Sequence, residues 1–367
     1  MAENVYEDLR ELLDRHPSGC PQAPEIIEIL KILFTEKEAG LALTLGFRPY
    51  PIEIIAEKAG LNIAEAHEHL ESLADRGVLF AKEKNDTWHY ALLPVMPGLF
   101  EFPFMKGERS PTIDRLSQLW QTYLKQFGKD IGSPSMAFSR VITIQEPIPN
   151  EPEVLPYERV YEMIDRAEVV GIAHCACRES EQKCNASREA CMVFDDTCTY
   201  LVERGFARYI AKGDMKQKLR EFDASGLVHQ TNNSQDRLTF ICNCCTCCCH
   251  LLRSLTELKN PYVFTSSGFI PQNDPDLCSG CGICADERCP MEAIRLDDTL
   301  PVIEQELCIG CGLCVTGCPE GALELVRRRD VPKPALTARD IGLQMLKDKG
   351  KLEAFIPLIT PPSYTKD

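Results

Sequence analysis

The 367-residue sequence lacks several features that would place it in common functional classes. It has no apolar run approaching the roughly 18–20 residues that a membrane-spanning helix needs. Neither GxGxxG nor GxxxxGK[ST] occurs, so the usual dinucleotide-binding and P-loop fingerprints are missing. An excess of basic residues is also missing: 40 Lys and Arg stand against 55 Asp and Glu, giving a net charge of −15. This charge disfavours nucleic acid as a partner and favours proteins with basic surfaces.

Cysteine, in contrast, is abundant, with 20 residues in the chain. In a small secreted protein this number would indicate disulfides, but this chain is long. Residues 1–15 are polar and acidic, unlike the apolar segment of a signal peptide. We therefore expect the cysteines to serve as thiolate ligands in a reducing cytoplasm. Cys20 stands alone between Gly19 and Pro21 and is expected to have no ligand role.

Two cysteine motifs of closely similar sequence lie in the C-terminal part. The first is C-S-G-C-G-I-C-A-D-E-R-C-P, and the second is C-I-G-C-G-L-C-V-T-G-C-P. The repeat extends beyond the cysteines, because Asp276-Leu277 precedes the first motif as Glu306-Leu307 precedes the second. A C-x2-C-x2-C loop delivers three thiolates from one turn of chain, and its glycines let the backbone wrap closely.

These motifs resemble the bacterial two-cluster ferredoxin domain, which binds two [4Fe-4S] clusters. In that family the last cysteine of each motif ligates the other cluster, so the resemblance implies two crossed ligand sets. These sets are Cys278, Cys281, Cys284 and Cys318 for one cluster, and Cys308, Cys311, Cys314 and Cys289 for the other. The first motif departs from the family by having four residues, Ala285 to Arg288, before its last cysteine. Zinc, which favours separated CxxC pairs, is the weaker alternative.

Eleven further cysteines lie between residues 175 and 249. The first group begins His174-Cys-Ala-Cys-Arg178, and the second is Cys242-Asn-Cys-Cys-Thr-Cys-Cys-Cys-His250. Both groups follow predicted strands and border predicted helices, where backbone N–H groups can stabilise anionic sulfur. A zinc site that includes His174 or His250 and a group of buried structural thiols are the alternatives.

This pattern resembles a group of multicluster ferredoxin-like proteins of anaerobes, which combine such a domain with a dicluster ferredoxin and a regulator-like N-terminal part. The resemblance implies one or two further iron–sulfur clusters. One [4Fe-4S] cluster is assigned to Cys175, Cys177, Cys184 and Cys191, unless the later run replaces one of them. That run holds a second candidate site, because adjacent cysteines alternate in direction and cannot all face one cubane. Its members are Cys242, Cys244, Cys245, Cys247, Cys248 and Cys249. The candidate cofactor-binding residues are His174, Arg178 and His250.

Residues 22–100 predict two helices followed by a β-hairpin. The first of these helices ends at Gly60, and the second is capped by Asn62. This order resembles the winged-helix domain of bacterial regulators. The helix that would enter a DNA groove is acidic, however, and residues 1–110 hold 11 basic and 19 acidic residues. Because Lys and Arg supply most non-specific DNA affinity, we expect a structural or protein-docking role instead.

The sequence thus predicts an α+β protein with an α/β middle domain. Pro-rich residues 145–156 predict a semi-rigid linker, and Thr337 with Asp340 predicts a helix-capping box in the tail. The predicted units are a winged-helix-like domain (1–110), a connecting helix with the linker (111–156), a cysteine-rich iron–sulfur domain (157–265), a ferredoxin-like two-[4Fe-4S] domain (266–330) and a C-terminal tail (331–367).

We predict a cytoplasmic iron–sulfur electron-transfer protein or oxidoreductase subunit, from an anaerobe because exposed clusters are sensitive to oxygen. Its ferredoxin-type clusters would pass electrons to or from the middle-domain centre. The redox partner would be a flavoprotein or a metallo-oxidoreductase. One alternative is a reductase whose middle-domain cluster is the catalytic centre for a small substrate, and another is a redox-sensing transcriptional regulator. A homo- or hetero-oligomer is compatible with the sequence.

Overall fold

A computed structural model describes residues 2–144, 146–148, 158–329 and 331–360. Helices and strands are mixed along the chain, as the α+β prediction requires. Apart from 146–148, the proline-rich linker predicted at 145–156 lies outside these described residues. Within them, no helix has both the length and the apolar character needed to cross a membrane.

The N-terminal part combines five helices with a small antiparallel sheet. Its elements are α1 (Ala2–Asp14), α2 (Pro24–Leu33), α3 (Glu36–Ala42), β1 (Tyr50–Pro51), α4 (Ile52–Ala59), α5 (Ile63–Asp75), β2 (Leu79–Lys84) and β3 (Thr87–Leu92). The sheet order is β1-β3-β2. Asn62 caps α5 by accepting a hydrogen bond from the Glu65 N–H. The hairpin turns at Asn85 and Asp86, which both adopt the positive φ that two-residue hairpins require.

A long helix joins this part to the rest of the protein. After an irregular turn at Val95–Leu99 and a short α6 (Phe102–Met105), α7 runs from Pro111 to Asp130 and is capped by Ser110. The apolar stripe of α7 is buried, with Trp120 and Tyr123 at its centre. This stripe packs against α2 on one side and against helices of the middle part on the other. The stripe therefore lies in the core that the two parts share.

The middle part is built on a seven-stranded sheet. Its strands are β4 (Ser139–Ile142), β5 (Val170–His174), β6 (Glu189–Phe194), β7 (Ala207–Tyr209), β8 (Val228–Asn232), β9 (Phe240–Cys244) and β10 (Phe264–Thr265), and its helices are α8 (Val160–Arg166), α9 (Ala176–Glu181), α10 (Asp195–Glu203), α11 (Lys212–Ala224) and α12 (His250–Thr256). The order is β10-β4-β8-β9-β6-β5-β7, antiparallel except for β10 and β4. β4 falls within the range assigned to the connector, yet it pairs with β8 in this sheet.

Apolar side chains cover both faces of this sheet. One core extends from the N-terminal helices through α7 to one face and includes Ile309 and Leu313 from the C-terminal part. A second core covers the opposite face, between the sheet and helices α8 and α11. The sheet is therefore rigidly held, and the loops at its ends have fixed positions.

The C-terminal part has an approximate internal symmetry that follows the sequence repeat. Its elements are β11 (Phe269–Asn273), α13 (Ile283–Asp286), β12 (Ile294–Asp297), β13 (Leu300–Ile303), α14 (Leu313–Thr316) and β14 (Leu323–Arg327). Each cysteine loop leads into one short helix, α13 or α14, which begins after a glycine of positive φ: Gly282 (77°) or Gly312 (82°). A side chain at these two positions would strain the backbone.

The tail returns to the N-terminal part. It contains α15 (Ala338–Asp348) and α16 (Leu352–Ile359), and the predicted capping box of Thr337 and Asp340 is present at the start of α15. In α16, Phe355 stacks on Phe47 with ring centroids 5.8 Å apart. Just before α16, Lys351 forms an ion pair of 2.7 Å with Asp14.

Candidate metal centres

The cysteine loop of the first C-terminal motif closes around a small cavity. Three of its thiols line this cavity, and the fourth cysteine that lines it, Cys318, comes from the second motif. The set is Cys278, Cys281, Cys284 and Cys318. This is the crossed arrangement that the ferredoxin resemblance implies. Four convergent thiols of this kind fit a [4Fe-4S] cluster, which thiolates hold at its iron atoms.

The second motif gathers the complementary set. Burial raises the pKa of Cys311 to about 12, and the neighbouring Cys308 and Cys289 raise it further, although the Leu313 N–H opposes this effect. Burial likewise raises the pKa of Cys314, whose close neighbours include Cys289. Cys289 is thus brought to the second loop despite the extra residue in its own motif. Buried thiols of raised pKa become thiolates only beside positive charge, which a bound metal provides.

The last cysteine of each motif accepts an equivalent backbone hydrogen bond. The Ala293 N–H lies 3.2 Å from the sulfur of Cys289, and the Ala322 N–H lies 3.3 Å from the sulfur of Cys318. Ala293 and Ala322 occupy matching positions of the sequence repeat. The repeat therefore preserves the donors that stabilise thiolate charge as well as the ligands.

The two loops differ in their exposure. Cys281 is exposed, whereas Cys311 at the matching position of the second loop is partly buried. The second loop instead packs inward, where Ile309 and Leu313 are buried in the shared core. Its Gly312 lies so close to β4 that an added Cβ would be 3.2 Å from a methyl carbon of Thr143. One loop therefore faces solvent and the other faces the middle sheet.

Arg288, the last of the four residues between Cys284 and Cys289, fastens this part to the middle sheet. Its guanidinium donates to the carbonyl oxygens of Leu313 (2.9 Å), Ala224 (2.9 Å) and Asp223 (3.0 Å). Asp223 and Ala224 form the end of α11. The C-terminal end of a helix attracts cations because its carbonyls lack partners. An added Cβ at Gly317 would lie 2.2 Å from Nε of Arg288, so this glycine leaves the space that the arginine occupies.

A buried polar series leads from Asp223 into the middle sheet. Asp223 lies near Cys311, and its Oδ1 is 3.7 Å from Nε2 of His229, which is fully buried. The Nδ1 of His229 lies 2.7 Å from Oδ1 of Asn243. The amide of Asn243 is oriented by its own bond to the Ala190 carbonyl, so its oxygen accepts from His229. Asn243 stands between Cys242 and Cys244 in β9.

Seven cysteines of the middle part line one cavity of about 270 Å³. Cys245 lies at its margin and also belongs to a second thiol group, and the cavity is named the six-thiol cavity after the other six. They lie at the ends of β5, β6 and β9 and at the adjacent starts of α9 and α12. The six thiols form a series in which each one interacts with the next: Cys191, Cys242, Cys244, Cys249, Cys177 and Cys175. Hydrogen bonds from Cys191 and Cys244 lower the pKa of Cys242 to about 5, and bonds from Cys177 and Cys244 lower that of Cys249. Hydrogen bonding to the same neighbours raises the pKa of Cys177, Cys191 and Cys244. Thiols of lowered and raised pKa thus alternate around the cavity, and all six would ionise together only beside a bound cation, which fits a thiolate-bound iron centre.

The N-terminal part closes this cavity. Met96, Pro97 and Phe102 line it opposite the thiols, together with the carboxyl group of Glu101. Burial raises the pKa of Glu101 to about 8, and the nearby Cys242 and Cys175 add to the rise, although the Gly98 N–H opposes it. Glu101 could not be predicted as a cavity residue from the sequence. Nothing in residues 95–105 indicates proximity to cysteines that lie about 75 or more positions away.

The remaining four thiols, apart from Cys198, form a separate group. The sulfurs of Cys184, Cys245, Cys247 and Cys248 all lie within 4.8 Å of one another. The structure therefore divides the thiols differently from the sequence-based set of Cys175, Cys177, Cys184 and Cys191. Helix α9 carries the chain away from Cys175 and Cys177, so Cys184 meets the turn between β9 and α12 instead. Cys198 is buried inside α10, and Cys20 is buried in the N-terminal core.

The three other predicted residues have different surroundings. Arg178 is buried and donates to the carbonyls of Ser187 (2.9 Å) and Asn243 (2.5 Å), which fixes the loops that carry both cysteine groups. Its side chain also borders Cys245. His250 lines the cavity, and burial lowers its pKa to about 4, so it is neutral there. His174 is partly exposed and bonds Glu179 at 2.9 Å.

A comparison with protein families supports the C-terminal assignment. Residues 277–323 match the family model of the 4Fe-4S dicluster domain. A search of curated proteins finds no significant match to the chain. The family match and the convergent thiols of the first C-terminal loop together indicate an iron–sulfur protein that contains a 4Fe-4S dicluster domain.

Proposed function

We propose that this protein transfers electrons between an external redox partner and a metal centre held by the six-thiol cavity. The observation that carries this proposal is the opposite exposure of the two dicluster loops. The loop of Cys281 reaches solvent, whereas the loop of Cys311 packs against the sheet whose strand ends carry the cavity thiols. Bound [4Fe-4S] clusters would supply one-electron transfer at these positions.

The exposed surface formed by the residues just before the two cysteine loops has the character of a docking surface for a redox partner. Leu277 and Leu307 are 55% and 48% exposed, in matching positions of the repeat. Exposed carboxylates of Asp276 and Glu306 stand beside them. Acidic rims around apolar contacts steer basic partners to a surface and orient them there. We propose a flavoprotein or metallo-oxidoreductase with a basic docking face as this partner.

The inner loop is connected to the cavity by residues that exclude water. Asp223, His229 and Asn243 bridge the space between the Cys311 loop and the cavity thiols, and all three are buried. His229 is hydrogen-bonded to Asn243, whereas its Nε2 stands 3.7 Å from Asp223, too far for a hydrogen bond, so the three side chains are packed in series. Their burial keeps the intervening medium at low dielectric, in which charge on one site affects the other strongly.

Metal analysis of the anaerobically purified protein tests this proposal. The dicluster domain accounts for about eight iron atoms, and a loaded cavity would raise the count to about twelve or more. We expect Cys242→Ala to lower the count to about eight and Cys198→Ala, the matched control, to leave it unchanged. About eight iron atoms in both the unaltered protein and Cys242→Ala would contradict a cluster in the cavity. In rapid-mixing reduction, a cavity centre that stays oxidised after the dicluster is reduced would contradict the relay.

A second candidate function is reduction of a small substrate at the cavity. It is favoured by the size of the cavity, by its largely apolar wall and by six thiols where a cubane needs four. We expect cyanide to change the EPR spectrum of the cavity centre if one iron is open to substrate. An unchanged spectrum would favour electron transfer alone.

We propose that the winged-helix-like N-terminal part serves as a structural module. Arg204 of α10 bonds both Glu71 and Asp75 of α5, the helix that would face DNA, and Tyr200 bonds the carbonyl of Leu79 at 2.6 Å. This helix is thereby docked on the middle part, and the same N-terminal part closes the thiol-lined cavity. Salt-dependent retention of the protein on duplex DNA would contradict this role and support a regulator.

We also propose a reducing cytoplasmic location. All 20 cysteines are free thiols, and most of them surround candidate metal sites. An oxidising compartment would convert such closely spaced thiols to disulfides before metal could bind.

A further inference from the structure

The four thiols of Cys184, Cys245, Cys247 and Cys248 have an unusually close spacing. The sulfur of Cys184 lies 3.7 Å from that of Cys245 and 3.8 Å from that of Cys248. The sulfurs of Cys247 and Cys248 are 3.7 Å apart. These sulfur–sulfur distances are shorter than those between the cysteine ligands of a [4Fe-4S] cluster. They therefore limit the kind of metal centre that the four thiols can bind.

A single ion in a tetrahedron of thiolates sets the distance between its ligands. With a metal–sulfur bond of about 2.3 Å, the edge of the tetrahedron is about 3.8 Å. In a cubane cluster each thiolate binds a different iron atom, so the four cysteine sulfurs stand much farther apart. We infer that Cys184, Cys245, Cys247 and Cys248 bind one divalent metal ion, zinc or mononuclear iron, at a site separate from every iron–sulfur cluster of the protein.

The direction of successive side chains explains how one run of cysteines serves two sites. Cys244 at the end of β9 and Cys249 at the start of α12 line the six-thiol cavity, whereas Cys247 and Cys248 in the turn between them group with Cys184. Cys245 lies at the boundary and touches both groups. The crowded sequence thus divides between the two sides of one turn.

The position of the site indicates a structural role. All four ligands are protein thiols, which leaves no open position for substrate. The ion would join the loop after α9 to the turn between β9 and α12, two segments far apart in sequence. Arg178 reinforces the same junction through its bonds to Ser187 and Asn243. The site would therefore hold in place the turn whose other side carries cavity thiols Cys244 and Cys249.

Metal and sulfide analysis of full-length variants tests this inference. We expect Cys247→Ser and Cys184→Ser each to lose about one zinc or one iron per chain, with acid-labile sulfide unchanged. Cys198→Ser is the matched control and should keep both values. A loss of about four irons together with about four sulfides would overturn the inference. Loss of no metal at all would overturn it too.

A measurement on the unaltered protein covers the case in which a variant fails to fold. If zinc is bound, X-ray absorption at the zinc edge should show four sulfur neighbours at about 2.3 Å and no neighbouring metal. If iron is bound, total iron should exceed acid-labile sulfide by about one atom per chain. Protein that contains no zinc and has equal iron and sulfide would overturn the inference. These readouts do not depend on electron transfer, so the proposed function can fail while this site stands.

Discussion

Replacing Cys318 by alanine is expected to remove the cluster of the first motif and to spare that of the second. Cys318 lines the same cavity as Cys278, Cys281 and Cys284, although it follows the second motif in sequence. Without it, the exposed loop supplies only three thiolates to a cluster that needs four. We expect iron and acid-labile sulfide each to fall by about four per chain in the anaerobically purified variant.

Paired substitutions decide between crossed and local ligand sets. If the sets are crossed, adding Cys281→Ala to Cys318→Ala should cause no further iron loss, because both changes affect one cluster. Adding Cys311→Ala to Cys318→Ala should double the loss, because that pair affects both clusters. Local sets would give the opposite result. Cys20→Ala, at a buried thiol far from the motifs, is the control for general effects of losing a cysteine.

The C-terminal motifs could be predicted from sequence because their information is local. Each C-x2-C-x2-C loop carries its own glycines and leads directly into its helix, so spacing alone specifies three ligands. The same holds for the capping box of Thr337 and Asp340. In each case the interacting residues lie within one or two turns of chain.

The middle part could not be resolved in the same way because its contacts are non-local. β4 pairs with β8, about 90 positions away, and the short segment of β4 has no pattern that predicts this partner. The thiols divide according to which side of the turn each faces, and that depends on the register of β9 with β6 and β8. The number of cysteines was enough to predict metal binding. Assigning Cys184 to the right thiol group, however, requires knowing where the chain runs after α9.

The departure of the first motif from the ferredoxin pattern has a structural explanation. The spacing of Cys284 and Cys289 predicts one extra residue in the loop but gives no reason for it. The additional position allows Arg288 to reach across to α11, while Cys289 still joins the second loop. The second motif has Gly317 before its last cysteine, and that glycine leaves room for the same arginine.

Arg288→Ala is therefore expected to loosen the dicluster domain from the middle sheet. The side chain of Arg288 is 12% exposed, and its loss would remove a donor from the carbonyls of Asp223, Ala224 and Leu313. The first and last of these keep backbone donors, the N–H groups of Gly226 and Gly317. Hydrogen bonds from a charged group that is largely buried stabilise a contact strongly. We therefore expect the substitution to weaken the contact between the two parts by about 2–4 kcal/mol. Because iron–sulfur proteins often unfold irreversibly, hydrogen exchange at the end of α11 is the suitable measurement.

Three further variants make this result specific to the interface. Gly317→Val should produce the same increase in exchange, because the larger side chain at position 317 would occupy the space that the Arg288 side chain fills. Arg288→Lys should give an exchange rate between those of the unaltered protein and Arg288→Ala. An ammonium group cannot reach three carbonyls at once as the forked guanidinium does. Arg295→Ala, at a site that is 56% exposed and 3.9 Å from Glu304, should change nothing. With iron content preserved, unchanged exchange at α11 in Arg288→Ala would show that the apolar contacts of Ile309 and Leu313 hold the domain without this arginine.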